Sequence, residues 1–515
     1  MKARKLALNR RQALAGMAAS MLMASTGGSA ALTPKKGGRL RVALAGGATS
    51  DTVDPAVMDS PFTIPIAYTA FNHLTEIDSS GNIVPELADE WSSGKSPAEW
   101  TFRLRKGVEF HNGKTMTADD VIASINYHRG DDSKSAAKPF LDAVEELKAD
   151  GPDRIQIRLK APNVDFPSTI SDYHFVILPS ADGKVDPLAG VGTGPYVLQN
   201  LDPGVGAVFS RNPNYFKSDR AFFDEVELRS VIDDAARNNA LITGEVDVID
   251  QVPLQIASRL KQVPTVKIEE TAGTEHYTLP MRTDTAPFND LNVRMAIKHA
   301  IDRDAVVEKI MFGYAEPGND NPISSAYRYF DSSLELRKYD PDKAKWYLKQ
   351  AGLSSLKVDL SVAAAPFPGG VETGSLVQDA ARAVGIDVNV IREVDDGYWS
   401  NVWMQRPWCA ASWVGPASED WIFTNAYAQG AAWNDTFWKN ERFNQLLVAA
   451  RAEQNDNLRR EMYAEMQRLV RDDGGVVVLS YNSYVMGLRD NVGHGPLAGN
   501  WRLDGYKFAE RWWFS

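Results

Sequence analysis

Short strand-like runs alternate with amphipathic helical stretches along almost the whole chain, and this pattern limits the folds open to it. The run over residues 39–44 is the first, and the run over residues 155–159 alternates as a half-exposed strand does. The alternation favours an α/β fold over a helical bundle or a sandwich. The chain has 515 residues, more than one core usually holds, so at least two domains are expected.

Two helix starts are recognisable from their capping residues. Thr117, followed three residues on by Asp120, resembles a capping box and predicts a helix that begins there. Asp340 as the N-cap, with Pro341 in the first turn, predicts a second helix that ends at Gly352. Helices with such starts fit the alternating α/β pattern.

The N-terminal segment has the composition of an export signal. It has a basic start without acidic residues, an apolar stretch over residues 13–24, and small side chains that suit a signal peptidase. The basic residues are Lys2, Arg4, Lys5, Arg10 and Arg11. We expect a signal peptide over residues 1–30, with cleavage after Ala30 or Ala31. The Arg10-Arg11 pair favours a twin-arginine signal, and a general secretory signal is the alternative.

Cysteine content and charge narrow the location and the partners of the chain. Cys409 is the only cysteine, so no internal disulfide or cysteine-based metal site can form, and no cysteine follows the signal to carry a lipid. We therefore expect a protein free in the periplasm of a Gram-negative cell. The formal net charge of −11 argues against a nucleic-acid partner. No later stretch approaches the ~20 apolar residues of a membrane-spanning helix, so we predict a soluble monomer that is not membrane-embedded.

Motifs that would indicate an enzyme are incomplete in this chain. Gly94-Lys95-Ser96 imitates the end of a phosphate-binding loop, but Asp89 stands where its first glycine is required. Gly192-Thr193-Gly194 lacks the third glycine of a dinucleotide fingerprint. The seven histidines never form the paired motif of a zinc hydrolase, and no Gly-x-Ser-x-Gly elbow is present. No catalytic residue, cofactor or bound metal is therefore expected, and a secreted hydrolase stays as the alternative class.

A series of short motifs follows one another along the chain. They are Phe71-Asn72-His73-Leu74, Gly81-Asn82-Ile83-Val84-Pro85-Glu86-Leu87-Ala88, Trp100-Thr101-Phe102-Arg103-Leu104-Arg105-Lys106-Gly107-Val108, Phe110-His111-Asn112-Gly113-Lys114, Gly192-Thr193-Gly194-Pro195-Tyr196, Arg211-Asn212-Pro213-Asn214-Tyr215, Gly244-Glu245-Val246-Asp247-Val248, Pro287-Phe288-Asn289-Asp290, Arg294-Met295-Ala296-Ile297 and Ala300-Ile301-Asp302-Arg303. Their order and spacing resemble the peptide, nickel and opine family (family 5) of extracellular solute-binding proteins, which serve ATP-driven importers. The resemblance covers nearly the whole chain after the signal.

The resemblance implies a two-lobed periplasmic binding protein fold of the α/β class, with a hinge between the lobes. We expect lobe 1 over residues 36–271, with an extra subdomain at about 75–190, lobe 2 over residues 272–480, and a return to lobe 1 over residues 481–515. It also implies that ligand captured between the lobes closes the hinge. The closed protein would deliver the ligand to an inner-membrane ABC permease and its ATPase subunits.

Tryptophan is concentrated in one part of the sequence. Seven of the thirteen fall between residues 399 and 438, namely Trp399, Trp403, Trp408, Trp413, Trp421, Trp433 and Trp438. Some are expected to pack in the core, and a minority to form an aromatic wall against a ligand. Trp413 aligns with the tryptophan of the family's Gly-Trp-x-x-Asp segment and is the first candidate ligand contact, since a ligand ammonium can lie over its face.

Pro416 departs from the family at a functional position. In peptide binders the aspartate of the Gly-Trp-x-x-Asp segment pairs with the α-amino group of the ligand, and Pro416 stands in its place here. Glu419 and Asp420 follow three and four positions on and could offer a carboxylate instead. The alternative is that they begin a helix or face solvent.

Further candidate contacts lie nearby and in the segment over residues 275–280. Arg406 and Arg282 could grip a carboxylate of the ligand through two hydrogen bonds, with a solvated surface role as the alternative. His276 and Tyr277 could line the cleft, although a lone histidine is more often structural. The remaining candidates are Trp403, Trp421, Trp433 and Asn434.

The family resemblance favours a short peptide or peptide-like amino compound as the ligand. The alternatives are an opine, a modified amino acid or another zwitterion, with a nickel chelate after them. A chemoreceptor adaptor or a holdase for unfolded protein is a rival role. The departure at Pro416 leaves the choice among ligands open.

Overall fold

The computed structural model describes residues 34–416 and 418–515, so the predicted signal peptide lies outside the described residues. The strands are β1 Arg39–Leu44, β2 Thr75–Ile77, β3 Ile83–Pro85, β4 Ala88–Ser93, β5 Glu99–Leu104, β6 Val144–Ala149, β7 Arg154–Leu159, β8 Ser180–Ala181, β9 Lys184–Val185, β10 Tyr196–Asp202, β11 Gly206–Arg211, β12 Glu225–Ser230, β13 Val248–Ile249, β14 Val266–Pro280, β15 Ala315–Pro317, β16 Leu356–Val362, β17 Ile386–Arg392, β18 Ala411–Trp413, β19 Val476–Arg489, β20 Val492–Gly493 and β21 Trp513–Phe514. The helices are α1 Thr63–Ala70, α2 Ala118–Tyr127, α3 Lys138–Leu141, α4 Phe166–Thr169, α5 Asp234–Thr243, α6 Leu254–Leu260, α7 Leu291–His299, α8 Arg303–Lys309, α9 Pro341–Gln350, α10 Gly370–Arg382, α11 Tyr398–Asn401, α12 Glu419–Ala426, α13 Glu441–Ala452, α14 Asp456–Asp473, α15 Arg502–Gly505 and α16 Phe508–Arg511.

A large mixed sheet runs through the molecule. Its strand order is β10-β11-β12-β1-β13-β19-β14-β18, with β15 paired to β19. β1 is parallel to both of its neighbours, β12 and β13, whereas β19 is antiparallel to β13 and β14. A strand at such a position is covered on both faces, and Val42, Ala43 and Leu44 of β1 are fully buried. The sequence prediction of a first strand over residues 39–44 is confirmed.

β14 and β19 are the longest strands and pair along their length. Residues 266–272 pair with residues 483–489, and residues 276–280 pair with residues 476–481. Between these two stretches the register shifts and β14 bulges. Gly273 lies in the bulge, where a Cβ atom would come within 2.9 Å of a carbonyl oxygen of β19. Two parts of the molecule are therefore joined through paired strands with an irregular segment between them.

Separate hydrophobic cores form on either side of this bulge. The first gathers residues of β1, α1 and β12, and it also contains the fully buried Trp512 near the C-terminus. The second gathers residues of α7, α10, β16 and β17, such as Leu360 and Val388, with Leu279 from the end of β14. The chain thus leaves the first core, builds the second, and returns to the first at its end.

A smaller antiparallel sheet, β4-β5-β7-β6, packs with α2 around a core of its own. α2 begins with the predicted capping box, because the Thr117 backbone N–H donates to Asp120 Oδ2 at 2.9 Å. The prediction for α9 is also confirmed. Asp340 Oδ1 accepts from the Lys343 backbone N–H at 2.9 Å, and Gly352, with φ of +75°, follows the end of the helix.

Within residues 34–416 and 418–515, no helix combines the length and apolar character that crossing a membrane requires.

Candidate functional site

A cavity of about 50 Å³ lies where the two parts of the molecule face each other. Its lining residues are Tyr68, Ile77, Phe140, Ser168, Thr169, Ser171 and Asp172 on one side, Pro416, Ser418 and Trp421 on the other, and Asn500 and Trp501 from the C-terminal segment. The lining therefore combines four aromatic rings, several small polar groups and one carboxylate. Such a mixture of apolar walls and a few polar groups is typical of small-ligand sites.

Trp421 forms one wall because three neighbours fix the direction of its ring. Its ring lies across the backbone of Gly415, where a Cβ atom would come within 2.5 Å of the ring. Thr274, from the bulge of β14, donates from Oγ1 to the carbonyl oxygen of Gly415 at 2.7 Å. Ser418 caps α12 by accepting from the backbone N–H of Trp421 at 3.3 Å. The hinge-like bulge and this wall are thus directly connected.

Asp172 supplies the carboxylate of the opposite wall. Its Oδ1 accepts from ring Nδ1 of His174 at 2.6 Å and from the backbone N–H of His174 at 3.1 Å. The His174 ring in turn stacks on Tyr173, with centroids 4.0 Å apart. No residue in the described part of the chain donates a hydrogen bond to Asp172 Oδ2. One oxygen is therefore used to hold the carboxylate in place, and the other is free to accept from a ligand.

Two more buried polar residues line the cavity. Asn500 is 8% exposed, and no described residue hydrogen-bonds to its Oδ1. Tyr68 is 5% exposed, and burial raises the pKa of its hydroxyl well above the ordinary value. A buried amide oxygen without a partner is costly, so a ligand donor would satisfy a need that the protein leaves unmet.

The two sides of the cavity are in direct contact near α4. Arg459 of α14 donates from Nη2 to Asp165 Oδ2 at 2.5 Å, and its side chain is only 3% exposed. The backbone N–H of Val164 donates to the carbonyl oxygen of Arg451 at 2.7 Å. These contacts join the segment at the start of α4 to the helices of the second part beside the cavity.

Comparisons with known proteins show the family of the chain. The model of bacterial extracellular solute-binding proteins, family 5 (middle), matches residues 82–435. The chain belongs to this family. Di/tripeptide-binding protein 2 of Pseudomonas aeruginosa is 26% identical over 86% of this chain and 90% of its own length.

Two solved structures support the two-lobed α/β fold of this family. The periplasmic binding protein DppA of Helicobacter pylori, in complex with the peptide STSA, aligns with a TM-score of 0.73 and 23% identity. It covers 93% of this chain and 99% of its own. The binding protein AgaA of A. tumefacien R10, in complex with agropinic acid, has the same TM-score, identity and coverage. The fold predicted from the sequence motifs is confirmed.

Glu419 and Asp420 of this solute-binding protein lie in the first turn of α12 but do not line the cavity. Glu419 Oε1 accepts from the backbone N–H of Tyr329 at 2.6 Å, and burial raises the pKa of its carboxyl to about 7. Asp420 Oδ1 accepts from Nε of Arg451 at 2.6 Å. Both carboxylates are satisfied by groups of the second part of the molecule.

Trp413 belongs to a row of rings outside the cavity lining. Trp399, Trp403, Trp413 and Trp433 follow one another with centroids 5.6, 6.2 and 6.4 Å apart. The row runs from exposed Trp399 to exposed Trp433, and Trp413 is 8% exposed. Asp435 accepts from Nε1 of Trp403 at 3.2 Å, and burial raises the pKa of its carboxyl to about 7. Trp421 is thus the member of the predicted aromatic set that lines the cavity.

Several other tryptophans and Asn434 serve packing. Trp408 is 1% exposed in the second core, and Trp438 is 3% exposed and lies against Phe443. The Asn434 amide donates to the carbonyl oxygen of Trp438 at 2.9 Å. The expectation that part of the tryptophan set packs internally is met by these two rings.

His276 and Tyr277 lie side by side on β14 and have different surroundings. His276 is 1% exposed and pairs with Trp413 of β18, and burial lowers the pKa of its imidazole to about 4. Tyr277 stacks on Phe367 with centroids 4.2 Å apart. It lines a second, larger space of about 440 Å³, together with Glu275 and others. Neither residue lines the first cavity.

Arg282 and Arg406 are each paired with a carboxylate outside the cavity. Arg282 is paired with Asp284 at 3.0 Å and lies over the ring of Phe437. Arg406 is exposed and paired with Glu393 at 3.2 Å. Both guanidinium groups are therefore engaged away from the cavity.

A buried cluster of charges adjoins the cavity behind Tyr68. Its carboxylates are Glu76, Glu86 and Glu510, and its cations are Lys217, Lys507 and Arg511. The carboxylate oxygens lie within 4.8 Å of one another, close enough to suggest a metal site. The lysine ammonium groups already occupy the space between them, however, and a metal would have to displace them. Although burial opposes ionisation, Lys507 and Lys217 lower the pKa of Glu76 to about 2.

Sequence reasoning missed most of the cavity lining. Asp172, Asn500 and Trp501 were not among the predicted contacts, because they are far in sequence from the tryptophan-rich region. The unused signal was Tyr68, which stands just before the motif Phe71-Asn72-His73-Leu74. Conversely, Pro416 lines the cavity, so the departure from the family pattern falls at the site itself.

Proposed function

We propose that this protein is the periplasmic binding component of an ABC importer and that it captures a short peptide or peptide-like amino compound in the cavity beside Trp421. The cavity carries this proposal, because it is enclosed by residues of both parts of the molecule. Membership of the solute-binding family supports it, as does the di/tripeptide-binding relative. The protein would deliver its ligand to the inner-membrane permease, whose ATPase subunits hydrolyse the nucleotide.

The proposed mechanism is closure of the cleft on the ligand. The hinge would lie at the bulge of β14 opposite residues 481–483 of β19, between a first lobe ending near residue 271 and a second ending near residue 480. Ligand contacts from both walls, together with the Asp165–Arg459 pair, would favour the closed state. The permease would then recognise that closed form.

The proposal includes no catalytic step. Of the cavity residues, Ser168, Ser171 and Asp172 lie close in sequence to His174, which invites comparison with a hydrolase triad. Nε2 of His174 is buried and has no partner in the described residues, so no serine is activated by it. We also propose that the protein is a monomer and that it is exported to the periplasm without a lipid anchor.

A thermal-shift screen tests the function. The purified mature protein is heated with dipeptides, tripeptides, opines, betaines and nickel chelates, because a ligand at 100 times its Kd stabilises the fold by about 2.7 kcal/mol. A rise in Tm with short peptides supports the proposal. If Tm rises only with opines or other zwitterions, the ligand belongs to that class and is not a peptide. If Tm rises only with nickel chelates, the cargo is a metal complex.

A further inference from the structure

The formal charge that lines the cavity beside Trp421 is negative. Asp172 is the single residue with a formal charge among those that line it, and no lysine, arginine or histidine is included. The second acceptor is the buried Asn500 Oδ1, which has no partner among the described residues. Asp172 and Asn500 can both accept hydrogen bonds from a cation.

Three cationic side chains around the cavity are paired with carboxylates, and the ring Nδ1 of His174 is bonded to Asp172 itself. Lys507 lies 5.5 Å from the ring centre of Tyr68, but its ammonium group contacts Glu86 at 2.5 Å. Arg459 is held by Asp165 and Arg451 by Asp420. A ligand carboxylate placed in this cavity would meet a free carboxylate oxygen and no free positive group, and like charges at short range repel.

The aromatic lining suits a positive group that has lost its water. Tyr68, Phe140, Trp421 and Trp501 all contribute to the walls. The faces of such rings carry negative charge density and attract ammonium groups, most strongly when the site is dry. An aromatic lining around a single carboxylate therefore favours a cation over an anion or a neutral amide.

We infer that the cavity holds the ammonium end of the ligand, with Asp172 as its counter-ion, and that a ligand carboxylate is not recognised there. The inference rests on the proposed function. It also explains how a family member with Pro416 in place of the usual aspartate can still take an amino compound, because the carboxylate comes from the opposite wall.

Four charge forms of one dipeptide test this inference. Alanyl-phenylalanine (zwitterion), its C-terminal amide (cation), its N-acetyl form (anion) and its N-acetyl amide (neutral) are titrated into the full mature protein by calorimetry. Phenethylamine and 3-phenylpropionate form a second matched pair. We expect the cationic amide to bind at least tenfold more tightly than the neutral form, and no more weakly than the zwitterion. Phenethylamine should bind and 3-phenylpropionate should not.

Variants then assign the counter-ion. Asp172→Asn should weaken binding of the cationic amide at least tenfold and leave the neutral form unchanged, and Asp172→Glu should restore part of the loss. Asp379→Asn is the control, because it removes an exposed charge that pairs with Arg382, outside the cavity. The Tm of each variant without ligand reports whether it folds.

The outcomes separate the inference from the function on which it rests. Tenfold tighter binding of the zwitterion than of the amide would overturn the inference and keep the function, since a carboxylate would then be recognised. Equal binding of acetylated and free amines would do the same. If no probe bound and the wider screen also failed, both the inference and the proposed function would be rejected.

Discussion

Arg459 Nη2 and Asp165 Oδ2 lie 2.5 Å apart and join the two sides of the cavity. Arg459 is further held by the hydroxyl of Tyr329 at 2.9 Å and by the carbonyl oxygen of Ala450 at 3.0 Å. Contacts with Tyr329 and Ala450 thus position the arginine independently of Asp165. In the proposed closure, the pair would form a charge-assisted bond between an almost fully buried cation and a partly exposed carboxylate.

Asp165→Asn should favour the open form. The amide keeps the shape of the side chain but loses the charge, and a hydrogen bond to a charged group contributes about 1.5–3 kcal/mol. Ligand affinity should fall roughly tenfold to a hundredfold, and the radius of gyration from small-angle scattering should rise without ligand. Asp219→Asn is the control, since Asp219 is 76% exposed and bonded to its neighbour Arg220. Unchanged scattering and affinity would show that the pair does not govern closure.

Trp421→Ala should weaken ligand binding at least tenfold, or about 1.4 kcal/mol, because the ring forms a wall of the cavity. Trp433→Ala provides the matched comparison. Trp433 is 47% exposed at the end of the tryptophan row and should change affinity less than twofold. Calorimetry with the best compound of the thermal-shift screen measures both. The opposite ranking would place the ligand on the row instead of in the cavity.

Gly415→Ala should disturb the same wall without removing a ring. The new methyl group would stand 2.5 Å from the ring of Trp421, so the ring must move. We expect a destabilisation of about 1–3 kcal/mol in urea unfolding, together with weaker ligand binding. Gly430→Ala, at a glycine with no atom within 4 Å of the added carbon, controls for methyl addition but carries the strain of its positive φ. Wild-type affinity in Gly415→Ala would contradict the contact described.

The free energy of unfolding should depend on pH through protonation of the Asp435 carboxyl. Burial raises the pKa of its carboxyl to about 7 from an ordinary value of 3.8, so the folded protein binds this proton more tightly than the unfolded chain. Its contribution to stability is full below about pH 4 and is lost as pH rises through 7. Each pH unit in that window changes the free energy of unfolding by about 1.4 kcal/mol.

Asp435→Asn isolates this effect. The amide is always neutral, and its oxygen can still accept from Nε1 of Trp403. Relative to wild type, the variant should gain stability as pH rises from 5 to 8, measured by urea unfolding at each pH. Glu419, whose pKa burial also raises to about 7, is present in both proteins and cancels in the difference. A difference that stays constant with pH would contradict the buried, proton-binding carboxyl.

Local signals in the sequence predicted local structure well. The first strand over residues 39–44, the capping box of α2 and the N-cap Asp340 all depend on residues within a few positions of each other. From the sequence, the motif Gly192-Thr193-Gly194 was shown only to lack the third glycine of a dinucleotide fingerprint. The motif packs closely against the end of α1, because a Cβ atom at Gly192 would stand 2.2 Å from the carbonyl oxygen of Ala70. This contact between distant parts of the chain cannot be predicted from local sequence.

The cavity could be predicted only in part. Trp421 and Pro416 lie in the region that the tryptophan density and the family segment had marked. Asp172 and Asn500 could not be found this way, because the fold brings them there from other parts of the chain. Arg282 and Arg406 were selected for their neighbours in sequence, yet Asp284 and Glu393 neutralise them at the surface. Pairing of charges in space, which sequence does not give, decided these cases.

Hydrogen–deuterium exchange with and without the compound that gives the largest thermal shift tests the central claim most directly. Capture between the lobes predicts slower exchange on both sides of the cleft, in residues 165–172 with 500–501 on one side and in residues 415–421 on the other. Slowing confined to one lobe, or to the exposed tryptophan row from Trp399 to Trp433, would contradict capture of the ligand between the lobes.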